Sequence, residues 1–96
     1  MLFLSEQEMW QSVTLEDIMD AIEDAYAIHK SGNYKMPDRF IAQRDKNMLL
    51  YMPCFLDSGI GTKMLSEFPD NPSLGIPYLN GLMILNDAKT GLPKAI

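Results

Sequence analysis

The spacing of apolar side chains changes once along these 96 residues, at Met36-Pro37. Before that point it follows the helical period, and after it the chain alternates. Leu15, Ile18, Met19, Ile22, Ala25, Tyr26 and His29 recur at i, i+3, i+4 and i+7, which predicts one amphipathic helix of roughly four turns. Glu16, Asp17, Asp20, Glu23 and Asp24 occupy the other face. Thr14 is the expected N-cap, followed by acids that complement the helix dipole. Gly32, in Ser31-Gly32-Asn33, is the expected left-handed stop. A shorter helix is predicted over Glu6–Gln11, with Ser5 as its cap and Glu8 reaching back to close a capping box.

Beyond Pro37 the period is two. Arg39–Arg44 and Met48–Pro53 read as a hairpin around Asp45-Lys46-Asn47. Gly59–Phe68 reads as a third strand, Pro69–Ser73 as a turn cluster and Tyr78–Leu85 as a fourth strand. Asp87–Gly91 is a turn, and Leu92–Ile96 begins a fifth strand. Helices first and strands second predict an α+β fold with an antiparallel sheet. The fifth strand runs into Ile96 with no polar tail. A strand broken in mid-run exposes unpaired backbone, so the chain is expected to be a fragment of a longer protein.

Composition narrows the function classes. With 47% hydrophobic and 22% charged residues the chain is an ordinary globular sequence. Its net charge of −5 and the lack of any basic run argue against nucleic-acid binding. No apolar stretch approaches the ~20 residues of a membrane span, and MLFLSEQE turns acidic too early for a signal peptide. The single cysteine, Cys54, excludes an internal disulfide and fits a reducing cytoplasm. Eight methionines suit an adaptable core or interface.

Four residues are candidates for chemistry. In the alternating strand, Gly59, Gly61, Lys63, Leu65 and Glu67 share one face. The glycines leave space beside Lys63 for a small molecule to reach the backbone. A partly desolvated lysine there binds a carboxylate or serves as a base; a solvated strand lysine beside a bulge is the plainer alternative. Arg39 opens a strand after Met36-Pro37-Asp38, and its fork suits a carboxylate or, more simply, an ion pair with Asp38 or Asp45. Cys54 and the only histidine, His29, read as a buried thiol and a core or helix-end residue rather than a nucleophile–base pair. One histidine and one cysteine do not make a transition-metal site. Gly75, Gly81 and Gly91 lack the G-x-G-x-x-G spacing of a dinucleotide loop.

Five motifs in order, MLFLSEQE, MPDRF, LLYMPCF, GTKMLSEFPDNPSLGIP and NGLMILNDAKTGLPKAI, resemble the N-terminal part of the ornithine cyclodeaminase/μ-crystallin family over nearly the whole chain. The resemblance implies a homodimeric NAD(P)-dependent enzyme acting on an amino acid or imine. It implies a substrate-binding and dimerisation domain, of which residues 1–96 are the first segment, and a Rossmann domain that lies outside them. By the same resemblance, Lys63 contacts the substrate carboxylate and assists proton transfer, and Arg39 grips that carboxylate. NAD(H) or NADP(H) would be held outside this segment, which alone is expected to be inactive and to bind no cofactor.

The match departs from the cyclodeaminase pattern at Leu50. There an acidic residue stands two positions before the Met-Pro aligned with Met52-Pro53, so Leu50 favours a smaller or apolar substrate over ornithine. Beside the enzyme reading stands a non-catalytic ligand-binding or dimerisation module, with self-association through the sheet.

Overall fold

The computed structural model describes residues 1–96. The first helix, α1, runs Glu6–Ser12, and the second, α2, Leu15–Ser31. Both capping boxes form. The Glu8 carboxylate accepts from the Ser5 N–H at 2.8 Å while Ser5 Oγ accepts from the Glu8 N–H. Asp17 and Thr14 repeat the exchange at α2. Gly32 ends α2 at φ 75°, its N–H donating to the carbonyls of Ile28 and His29. These caps leave a titration signature. Hydrogen bonds, first from the backbone and then from the side chain of the capping residue, hold the carboxyls of Glu8 and Asp17 below their usual values.

The strands are β1 (Phe40–Arg44), β2 (Asn47–Leu56), β3 (Gly59–Glu67), β4 (Leu79–Asn86) and β5 (Pro93–Ala95). They form one antiparallel meander in chain order, so the α+β reading holds and β3 is the central strand. A 3₁₀ turn at Asn71–Leu74 joins β3 to β4. The Asp87 carboxylate accepts from the N–H groups of Lys89 and Thr90 and from the Thr90 hydroxyl, which shapes the turn into β5. The backbone near Ile96 is not left bare. Leu2 donates to the Lys94 carbonyl, Ile96 donates to Leu2, and Leu4 donates to Ile96, so the N-terminal residues line the β5 edge.

One strand boundary differs from the sequence reading by more than a single residue. β2 does not stop at Pro53 but continues to Leu56. The Phe55 N–H donates to Lys35 on the β1 side. Residues two apart in a strand aim their N–H groups the same way, so Pro53 lacks its donor on that side too. There the ladder is interrupted between Lys35 and Phe40, and the proline costs no hydrogen bond.

Little of this surface is covered. Only Leu50 and Gly59 are buried. The accessible area is 7805 Å², whereas a folded monomer of 10.9 kDa exposes about 5,600 Å², an excess of about 2,200 Å². No residue of either helix lies within 8 Å, Cα to Cα, of a strand residue. Leu15, Met19, Ile22 and Tyr26, the stripe expected to pack inward, are each more than half exposed. The stripe is correctly amphipathic, but these 96 residues provide no partner for most of it. The lone ion pair, Lys46–Asp70 at 2.7 Å, is solvent-exposed and contributes about 1 kcal/mol or less.

The capping carboxyls set an acid limit on the helices. Their folded pKa values are depressed, so their stabilisation is complete above the unfolded values, 4.5 for Glu8 and 3.8 for Asp17. It is lost as pH falls through the lower folded values. Circular dichroism should show helix loss on acidification below that range, and Glu8→Gln with Asp17→Asn should flatten the change; an unaltered acid profile in the double variant would refute the assignment. The glycines give a second test. A Cβ on Gly81 would sit 2.5 Å from Leu65 Cδ2 and 3.1 Å from the Met64 carbonyl oxygen, while one on Gly61 meets nothing within 4 Å. Gly81→Ala is expected to destabilise by about 1–3 kcal/mol and Gly61→Ala to stay within about 0.5 kcal/mol in urea unfolding. Equal losses at both positions would contradict this packing.

Candidate functional site

The β2–β3 register puts Met52 opposite Lys63 and Cys54 opposite Gly61, and β4 adds Met83 on the other flank of Lys63. Residues paired across antiparallel strands share a face. Lys63 therefore rises from the centre of the sheet between two methionines. Lysines are commoner on sheet edges, where they discourage strand addition. Its neighbour along the strand, Gly61, has open space where a side chain would stand. Lys63 itself is exposed.

Arg39 is positioned by the break in the β1 ladder. Lys35 pairs with Phe55, and Phe40 pairs with Tyr51. The first strand thus advances five residues while β2 advances four, which is the signature of a bulge. The extra residue falls within Met36–Arg39, and it lifts this segment away from a regular ladder. The result is a cleft of about 460 Å³ lined by Met36, Pro37, Asp38 and Arg39 on one side and by Met52, Cys54, Gly61, Lys63 and Met83 below.

The two cations singled out in the sequence therefore meet at one cleft. The ion pair anticipated for Arg39 with Asp38 or Asp45 does not form; Lys46–Asp70 is the one salt bridge, and neither Arg39 nor Lys63 makes a side-chain hydrogen bond. Two unpaired cations in a concave, methionine-walled space form a setting for an anion with an apolar body. Cys54 and His29 come together differently. Both line a smaller hollow beside the cleft, where the His29 ring packs against Tyr34 with centroids 5.3 Å apart. No hydrogen bond joins thiol and imidazole; Cys54 is half-buried where a buried thiol was expected, and His29 is exposed near the end of α2. No group of acids, histidines and cysteines could hold a metal ion.

Leu50 shares the face of Lys63 but lies outside the cleft lining, packed in register between Ile41 and Leu65. The sequence reading missed Met36, Asp38, Met52 and Met83 as lining residues. For Met52 and Met83 the available signal was the period-two phase within their strands; the bulge that brings in Met36 and Asp38 depends on the Lys35–Phe55 pairing, which no local pattern carries. No glycine-rich turn leads from a strand into a helix, so these residues form no Rossmann-type dinucleotide loop. No helix is long and apolar enough to cross a membrane.

Known proteins are similar to this chain in sequence and in fold. An alanine dehydrogenase of Archaeoglobus fulgidus is 33% identical over 95 residues, covering 99% of this chain and 30% of its own length. A solved archaeal alanine dehydrogenase dimer with bound NAD superposes with a TM-score of 0.88 at 33% identity, covering 98% of this chain and 29% of that one. The Δ1-pyrroline-2-carboxylate reductase of Thermococcus litoralis, solved with NADH and L-proline, also gives 0.88, at 30% identity over 99% of this chain and 31% of that one. The chain thus spans under a third of the length of these relatives. The sequence pattern of the ornithine cyclodeaminase/mu-crystallin family matches residues 1–96 throughout, and the chain belongs to that family.

Proposed function

We propose that residues 1–96 are the opening segment of the substrate-binding and dimerisation domain of an NAD(P)-dependent enzyme acting on an amino acid or imine, and that Lys63 and Arg39 hold the substrate carboxylate. The observation that carries this reading is a pair of cations, neither in a salt bridge, on one cleft of about 460 Å³ whose rim also holds Asp38. Arg39 offers a planar fork that grips both carboxylate oxygens, and Lys63 offers a mobile point charge. Two such contacts fix the orientation of the bond to Cα, where a single contact leaves the substrate free to rotate. Gly61 leaves the substrate room to lie close to the sheet. Lys63, on the central strand of that floor, would take or return a proton at the substrate nitrogen or Cα. A bound NAD(H) or NADP(H) would supply hydride chemistry, and the relatives solved with NAD, NADH and L-proline support that expectation.

The uncovered surface supports a second role for the same segment. An excess of about 2,200 Å² on one chain exceeds the ~800 Å² that each partner contributes to a standard protein–protein interface. A homodimer through this domain fits it, and so does a non-catalytic ligand-binding or dimerisation module. NAD(P)-linked turnover by the complete gene product separates an enzyme from such a module.

In the complete gene product, Lys63→Ala is expected to lower kcat/KM for its amino acid substrate by at least about a hundredfold. Arg39→Lys should act mainly through KM, because charge is kept and the fork is lost. Wild-type kcat/KM in a folded Lys63→Ala enzyme would end the proposal. Light scattering should show a dimer; a monodisperse monomer would remove the dimerisation role.

A further inference from the structure

The cleft does not end at Cys54. Met36 and Cys54 each line it and also line a second hollow, of about 190 Å³, on the side facing the C-terminal end of α2. The walls of this hollow are Ala25 and Ile28 from α2, Tyr34 from the following loop, and Leu56 from the end of β2, with His29 as the only residue that is not hydrophobic. Ala25, Ile28 and His29 all lie in the C-terminal half of α2, Ala25 and His29 on its apolar stripe. No acidic residue lines the hollow.

We infer that this hollow is the side-chain subsite of the substrate, and that it selects amino or imino acids with branched aliphatic or aromatic side chains. The inference rests on the carboxylate reading of Lys63 and Arg39. Three observations carry it. The two spaces adjoin, sharing Met36 and Cys54 as lining residues, so a ligand anchored at the cations has an apolar direction in which to extend. Cys54 stands opposite Gly61, two residues and about 7 Å along the strand from the level of Lys63. A phenylalanine side chain comes close to spanning that distance from its carboxylate and a leucine side chain covers most of it, whereas the methyl group of alanine covers little. Finally, an apolar cavity of about 150 Å³ takes a benzene-sized molecule, so the hollow has room for a ring or a branched chain. The same walls discriminate against ornithine and lysine. A terminal ammonium there would lose its water and find no carboxylate to replace it. Met36, unbranched and flexible, stands between the two spaces and can yield to side chains of different shape.

The test is a substrate panel on the complete gene product. NAD(P)⁺-linked oxidation is followed with alanine, leucine, phenylalanine and ornithine, for the wild type, Lys63→Ala, Ala25→Leu and Ile28→Ala. The wild type is expected to prefer leucine or phenylalanine over ornithine by at least tenfold in kcat/KM. Ala25→Leu, which fills the hollow, should lower the leucine-to-alanine ratio of kcat/KM at least tenfold. Ile28→Ala, which enlarges it, should raise the phenylalanine-to-leucine ratio. Using ratios guards against a general loss of folded enzyme. If Lys63→Ala abolishes turnover but both hollow variants leave the ratios unchanged, the subsite is refuted and the carboxylate site stands. A wild-type preference for ornithine also refutes the subsite. If Lys63→Ala changes nothing, or if no amino acid is turned over, the carboxylate reading fails and the subsite fails with it.

Discussion

The register between β2 and β3 is the constraint on which the cleft depends. It sets Met52 against Lys63 and Cys54 against Gly61, and β4 continues the row with Met83. Side chains alternate between faces with a period of two, so a slip of one residue would send Lys63 to the opposite face. That register is held by apolar matching at its centre, where Leu50 pairs with Leu65 and is the one buried large side chain of the chain. Leu65 in turn lies across Gly81, whose missing side chain it fills. The contact that locks the sheet is therefore one pleat away from the lysine it orients. This explains why Leu50 is apolar without placing it in the cleft.

A second constraint acts at the edge. A regular β1–β2 ladder from Lys35 to Arg44 would be a flat surface. One additional residue between the Lys35 and Phe40 pairings makes a wall of Met36–Arg39, and Pro53 faces the resulting gap without sacrificing a hydrogen bond. The sequence MPDR thus does two jobs at once. It breaks the ladder and delivers an arginine to the side of the sheet where Lys63 stands. The methionines around the two cations add apolar walls that would exclude water from part of a bound anion's surroundings and so strengthen charge-assisted hydrogen bonds to it.

Local chemistry was legible in the sequence and long-range placement was not. Ser5 with Glu8, Thr14 with Asp17 and Gly32 act within one turn of helix, so their spacing is enough to read the boundaries of α1 and α2. The order of the strands and the α+β class followed from period and turns. Lys63 was legible because a lysine beside two glycines is out of place in an apolar strand. The continuation of β2 through Pro53 was not, because a proline ends a strand unless the neighbouring strand is broken on the same side. That break depends on a pairing twenty residues apart, Lys35 with Phe55. The exposure of Leu15, Met19, Ile22 and Tyr26 was equally out of reach, since periodicity reveals an apolar face and not what covers it. The hollow beside Cys54 joins a helix end, a loop and a strand end, and no local pattern announces such a meeting.

The most direct test is a crystal structure of the complete gene product with an amino acid substrate bound. The account predicts the substrate carboxylate within hydrogen-bond distance of both Lys63 Nζ and the Arg39 guanidinium, above Gly61. A carboxylate bound elsewhere, with Lys63 and Arg39 paired to acidic side chains instead, would contradict it.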